Sequence, residues 1–173
     1  MVERAAPTPK EFEVEFRESI RVGFNWDRFL TEKWPIERVA LKSESNLARC
    51  FTPWYVGKGA EELSYDHPHA VPMSLSDVPN AFAILSGERK VDIQEKIDEI
   101  RGGPSPARII VPTYALPEDR YFVLDKNHRL SALALSGMLF EVELWNVRGP
   151  FEKDCLLDLD FWLKDKGDDS ADL

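Results

Sequence analysis

The stretch YFVLDKNHRLSA, residues 121–132, decides the reading of the fold. Tyr121, Phe122, Val123 and Leu124 form a short apolar run that reads as a buried strand. Polar residues then crowd a turn, and Leu130, Leu133 and Ala134 supply the apolar stripe of a helix over 128–136, stopped by Gly137. The first turn of a helix leaves backbone N–H groups without intrahelical partners and carries the positive end of the helix dipole. Phosphate binds readily at such a place because the donors already point outward. Lys126, His128 and Arg129 add positive charge there, and an arginine can hold two phosphate oxygens at once. Asp125 suits three roles: capping the helix, holding an Arg or His, or ligating a metal. The same five residues also suit a plain solvated turn in which Asp125 or Asn127 only caps the helix.

Outward from this segment the punctuation is clear on both sides. Phe140, Val142 and Leu144 alternate with Glu141 and Glu143 in a strand, and residues 151–163 read as an amphipathic last helix. Upstream, 108–113 is a strand and 117–119 a turn. Residues 91–101 place Ile93, Ile97 and Ile100 on one helical face, and Gly102, Gly103 and Pro104 end it. Ser76 or Asp77 caps a helix running to Leu85, with Pro79 in its first turn. Gly87, Glu88, Arg89 and Lys90 then read as a solvated connection. Nearer the N-terminus, residues 11–16 (EFEVEF) alternate strictly and predict a half-buried strand, and 25–34 predict a short helix ended by Pro35. Residues 36–73 hold Pro53, Gly57, Gly59, Pro68 and Pro72 among aromatics, which predicts an ordered, loop-rich region. The expected architecture is α/β (α+β), a small mixed sheet with flanking helices. Its expected parts are an N-terminal elaboration over 1–75, a core over 76–149, and an acidic C-terminal helix and tail over 150–173.

The chain has 173 residues, 43% of them hydrophobic, enough for one domain with a real core. No apolar run approaches the roughly 18 residues of a membrane span, and the first ten residues carry no signal-like apolar stretch. Cys50 and Cys155 are too few for a disulfide scaffold and read as unpaired thiols, so a cytoplasmic location is expected. The net charge of −9 argues against a general nucleic-acid coat. It is unevenly spread. Residues 152–173 hold eight acids and three lysines, a sum of −5, whereas 101–129 sum to +2 from five basic and three acidic residues.

The segment KNHRLSA at 126–132 resembles the signature of the ParB/sulfiredoxin superfamily, whose turn reads Gly-x-x-Arg-x-x-Ala at a helix start. Asp125 to Arg129 is similar to the Asp-Gly-x-His-Arg form of ParB-like nuclease domains. The helix over 93–101, the Gly-rich turn and the PARIIVP strand at 106–112 resemble the elements that precede it in that family. The likeness covers roughly 88–148, less than half of the chain. It implies a nucleoside triphosphate, ATP or CTP, at the helix start, with Mg²⁺. Lys126, Asn127, His128 and Arg129 would bind it, Asp125 would anchor the metal, and Asp125, His128, Arg129 and Glu118 would form the catalytic set. Glu118, Asp119 and Glu88 are the local carboxylates able to activate water. The implied activities are hydrolysis of the triphosphate, with DNA as a further partner and its cleavage as a further activity. Lys126 stands where the family has glycine. Asn127 stands where sulfiredoxin has its cysteine, which removes the thiol that sulfinic acid reduction needs. No helix-turn-helix region follows residue 150, against a centromere clamp.

Two other functions stay open: a non-catalytic protein that docks a partner through 152–173, as compact plasmid and phage members of the superfamily suggest, and a small-molecule kinase. Elsewhere, His67-Pro68-His69 has metal-ligand residue types around a proline that favours a loop. Gly57-Lys58-Gly59 lacks P-loop spacing. Trp26, Trp34, Trp54 and Trp145 read as core.

Overall fold

The computed structural model describes residues 4–59 and 61–164. One mixed sheet organises the chain. Its strands are β1 (Ile36–Leu41), β2 (Cys50–Val56), β3 (Glu62–Leu63), β4 (Val71–Ser74), β5 (Ala107–Leu116), β6 (Arg120–Val123) and β7 (Phe140–Val147). Their order is β1-β7-β5-β6-β2-β3, with β4 pairing β2 off that path. The pairs β5·β7 and β2·β6 are parallel and the rest antiparallel. The helices are α1 (Pro9–Phe16), α2 (Trp26–Glu32), α3 (Glu44–Leu47), α4 (Val78–Ala81), α5 (Gly87–Arg101), α6 (Asn127–Ser136) and α7 (Asp160–Lys164). The expected mixed α/β class holds.

Side chains alternate across the strands and build two cores. On one face Val111, Val123, Val142 and Leu144 pack under Ile93, Ile97 and Ile100 of α5 and Leu130 and Leu133 of α6. On the other, Tyr114, Phe122, Leu124 and Val147 pack under Phe12, Phe16 and Phe29 of α1 and α2 and under Leu156, Leu159 and Trp162. The result is helix, sheet, helix, with each strand's two periodic faces buried in different layers. Strands β1 and β2, from the part read as an N-terminal elaboration, hydrogen-bond directly to β7 and β6. The sheet is therefore continuous across residue 75.

Several local expectations are corrected. Residues 11–16 form a helix, not a strand. Thr8 accepts from the Glu11 N–H (3.2 Å) and Glu11 Oε2 accepts from the Thr8 N–H (2.7 Å), a capping box with Pro9 in the first turn. The strict alternation also places Phe12 and Phe16 four apart on the buried face, leaving Val14 76% exposed. Helical spacing satisfies the burial as well as a strand would. Residues 36–73, read as loop-rich, hold four strands and a helical turn. Gly87 to Lys90 are the first turn of α5, whose N-cap Ser86 accepts from the Arg89 N–H at 3.3 Å. Residues 151–163 are not one helix. A β-bridge joins Phe24 to Leu156, Asn25 N–H donates to Cys155 O, and Leu157 N–H donates to Gly23 O. Long-range pairing with the 23–25 loop wins over local helix, and only a 3₁₀ turn (Leu157–Leu159) and α7 follow. The last part of the tail read as a docking element, 165–173, lies outside the described residues. Residues Cys155, Leu156, Leu159 and Trp162 are core.

The expected helix to Leu85 is one turn of α4 and a 3₁₀ turn, and Asp77 makes no capping side-chain bond. Cys50 and Cys155 are both buried and free. Trp34 and Trp54 are buried, and Trp26 and Trp145 pack against the second core. Among the described residues no helix is long and apolar enough to cross a membrane.

Candidate functional site

Strand β6 delivers the chain to α6 beside the start of β5. Leu124 N–H donates to Pro112 O at 3.0 Å, and Lys126 Nζ donates to Ile110 O at 2.7 Å. Lys126 is the N-cap of α6 and adopts the left-handed conformation, φ 67°, without a capping side-chain bond. That backbone state is the one glycine enters freely, so lysine here holds the conformation that the glycine of the resembled motif would hold. Its amine is turned onto the strand and sits 5.4 Å from the centroid of Phe16. Burial holds the Lys126 ammonium below its usual value.

The next residues bring the candidate groups together. Asn127 is 9% exposed and Ser131 fully buried. Asn127 Oδ1, Ser131 Oγ and His128 Nε2 are enclosed without hydrogen-bond partners. Buried polar atoms are usually satisfied, so three such atoms within the first five residues of one helix mark this end as unusual. His128 Nε2 lies 3.8 Å from Asp92 Oδ2, and its ring centroid is 5.3 Å from that of Trp54. Burial is the chief cause holding His128 below its ordinary value; Asp92, Asp125 and Glu88 oppose it and Arg89 adds to it. Arg129 lies 3.6 Å from Glu99, a carboxylate already bonded to Lys96 at 2.7 Å.

An open groove of about 470 Å³ runs along this helix start, lined by Lys96, Arg108, Lys126, His128 and Arg129, with Glu15 as its one acid and Ile109 and Ile110 as its apolar strip. Helices α5 and α6 run side by side in the same direction. His128 faces Asp92 near their starts, and Arg101 donates to Ser136 O (3.4 Å) near their ends. Their positive dipole ends therefore point the same way.

Lys126, His128 and Arg129 line the groove; Asp125 adjoins it, half-buried, without lining it. Glu118 is elsewhere. It sits at φ 62° in the β5–β6 turn, 3.5 Å from Arg120, at the opposite end of β5 from Ile110. The six strand steps from Ile110 to Leu116 alone span about 20 Å. Asp119 shares that turn. Of the carboxylates considered for water activation, only Glu88 acts on His128. Lys96 and Arg108 line the groove and Asp92 faces His128, three residues beyond those expected from the sequence. Asp92, Lys96 and Glu99 stand at i, i+4 and i+7, a polar stripe beside the Ile93/Ile97/Ile100 stripe. That spacing was the signal for two of them.

No three His, Cys, Asp or Glu side chains among the described residues are arranged to hold a metal ion. Asp125 supplies one carboxylate, so a Mg²⁺ there would need water and phosphate oxygens for its other ligands, as this ion commonly has. His67 and His69 lie in an exposed turn with the His69 N–H donating to His67 Nδ1 (3.1 Å).

Comparison with protein-family models, curated proteins and solved structures finds no match.

Proposed function

We propose that this chain binds a nucleoside triphosphate along the groove at the start of α6 and hydrolyses it, as the resemblance to ParB/sulfiredoxin domains implies. The observation that carries the reading is the α6 N-terminus, which has no side-chain cap and is bordered by Lys96, Arg108, His128 and Arg129. Helix N–H donors and guanidinium groups converging on one open space are what a phosphate chain requires. The volume, about 470 Å³, is in the range of small-ligand sites. The groove's cations are partly answered by Glu99 and Glu141, which favours a mononucleotide over DNA as the ligand.

In this reading Arg129 turns from Glu99 to the phosphates, and Arg108 leaves Glu141, 2.9 Å away, to do the same. Burial favours the neutral imidazole of His128, the form that can accept a proton from attacking water, and Asp92 then stabilises the imidazolium. Asp125 would hold Mg²⁺, which when bound supplies charge neutralisation for the phosphates.

The test is titration with ATP and CTP and measurement of phosphate release for the native protein and for Arg129→Ala. Binding of one nucleotide, with release reduced at least about tenfold in the variant, supports the reading. Absence of binding by both overturns it.

A further inference from the structure

A second cleft lies on the far side of Trp54 from the α6 groove. Its volume is about 430 Å³, and it is formed by Arg21, β2, the segment after β3, the first turn of α5 and the 3₁₀ turn before α7. Two of its charged side chains satisfy each other. Arg89 Nε donates to Glu62 Oε1 at 2.7 Å, the Ser86 N–H donates to Glu62 Oε2 at 3.2 Å, and the guanidinium lies 4.9 Å from the Trp54 centroid.

The other two charges have no such answer. Asp158 is 8% exposed, and its Oδ1 accepts from Tyr55 Oη at 2.8 Å. It forms no ion pair with a basic group among the described residues. Burial accordingly pushes its carboxyl above the usual range. Arg21 is exposed, and no hydrogen bond or ion pair holds it among the described residues. A buried carboxylate answered by a phenol and its own backbone N–H, but by no cation, is costly. An opposite charge stands in the same cleft and does not pair with it. Tyr65, 50% exposed, supplies an aromatic wall suited to an ammonium group.

We propose that this cleft binds a small zwitterion, its ammonium group on the Asp158 carboxylate and its acid group on Arg21. The carboxylate gains the cation that the fold denies it, and the guanidinium selects against a simple amine. Glu62 and Arg89 face the same space as a neutralised pair and add shape without net charge. The site is separate from the α6 groove and does not depend on the nucleotide reading.

The experiment is calorimetric titration of the full chain with unbranched ω-amino acids from glycine to 6-aminohexanoate, against butylamine and butyrate. At least one amino acid should bind, and both controls should bind at least about tenfold more weakly. Asp158→Asn keeps the side chain's shape and its acceptor for Tyr55, and Arg21→Ala changes an exposed side chain, so both should fold. Each should weaken the amino acid by about tenfold or more. The proposal is overturned if no member of the series binds, if butylamine binds as tightly as the best amino acid, or if Asp158→Asn leaves the affinity unchanged.

Discussion

Replacing Lys126 by glycine and by alanine separates what its backbone costs from what its side chain contributes. The side chain donates to Ile110 O at 2.7 Å and lies 5.4 Å from the Phe16 centroid. In a half-buried setting the first is worth about 1 kcal/mol and the second about 0.5–1 kcal/mol. Lys126→Ala removes both and keeps a non-glycine residue at φ 67°, so it should destabilise by about 1.5–2 kcal/mol. Lys126→Gly removes both but relieves about 1 kcal/mol of left-handed strain. Glycine should therefore be the more stable variant by about 1 kcal/mol, the reverse of their order inside a helix. Equilibrium unfolding in urea reads this as a difference in midpoint at unchanged slope. If alanine is as stable as glycine or more so, the left-handed cap does not strain the chain and the argument fails.

His128 is held below its ordinary value of 6.5, chiefly by burial. Its contribution to stability is full above the unfolded value and is lost as the pH falls through 6.5 towards the lower folded one. His128→Gln should flatten the urea midpoint between about pH 7 and 5. Asp158 is the opposite case. Its folded value lies above 3.8, so the cost of charging it is full above the folded value and vanishes below 3.8. Asp158→Asn should thus be more stable than the native chain at neutral pH, with the gain shrinking on acidification; a native chain that is the more stable at neutral pH contradicts this. At Gly149 an added Cβ would stand 2.2 Å from Tyr114 Oη and 2.7 Å from Trp34 Cε3. Tyr114 is tied to Pro150 O at 2.7 Å and cannot retreat freely. Gly149→Ala should cost about 2–3 kcal/mol by overpacking, read as a lowered melting temperature.

Residues from about 91 to 147 were legible in the sequence because their elements are punctuated. Gly102 and Gly103 end α5, Gly137 caps α6 at φ 68°, and the isoleucines of α5 keep one register. The strand–turn–helix of 121–136 also marked Lys126, His128 and Arg129 for the groove. The rest depended on contacts that no local window contains. The pattern of residues 11–16 fits periods of 2 and 3.6 alike, and the deciding bond comes from Thr8, outside the alternation. Strand β2 carries Pro53 and is specified by parallel pairing to β6, some seventy positions later. The 151–157 segment is set by the loop at Gly23 to Asn25. Glu118 looked close to the site along the chain, but β5 and β6 carry their turn away from α6. Asp92 and Arg108 reach the site only through the sheet and the α5·α6 contact.

The nucleotide reading meets its most direct test in backbone amide shifts recorded while ATP and CTP are titrated into the full chain. Saturable shifts are expected for one of them at Asn127 to Leu130, Lys96 and Arg108, with binding weakened at least about tenfold in Arg129→Ala. Shifts confined to other parts of the chain, or none with either nucleotide, would contradict it.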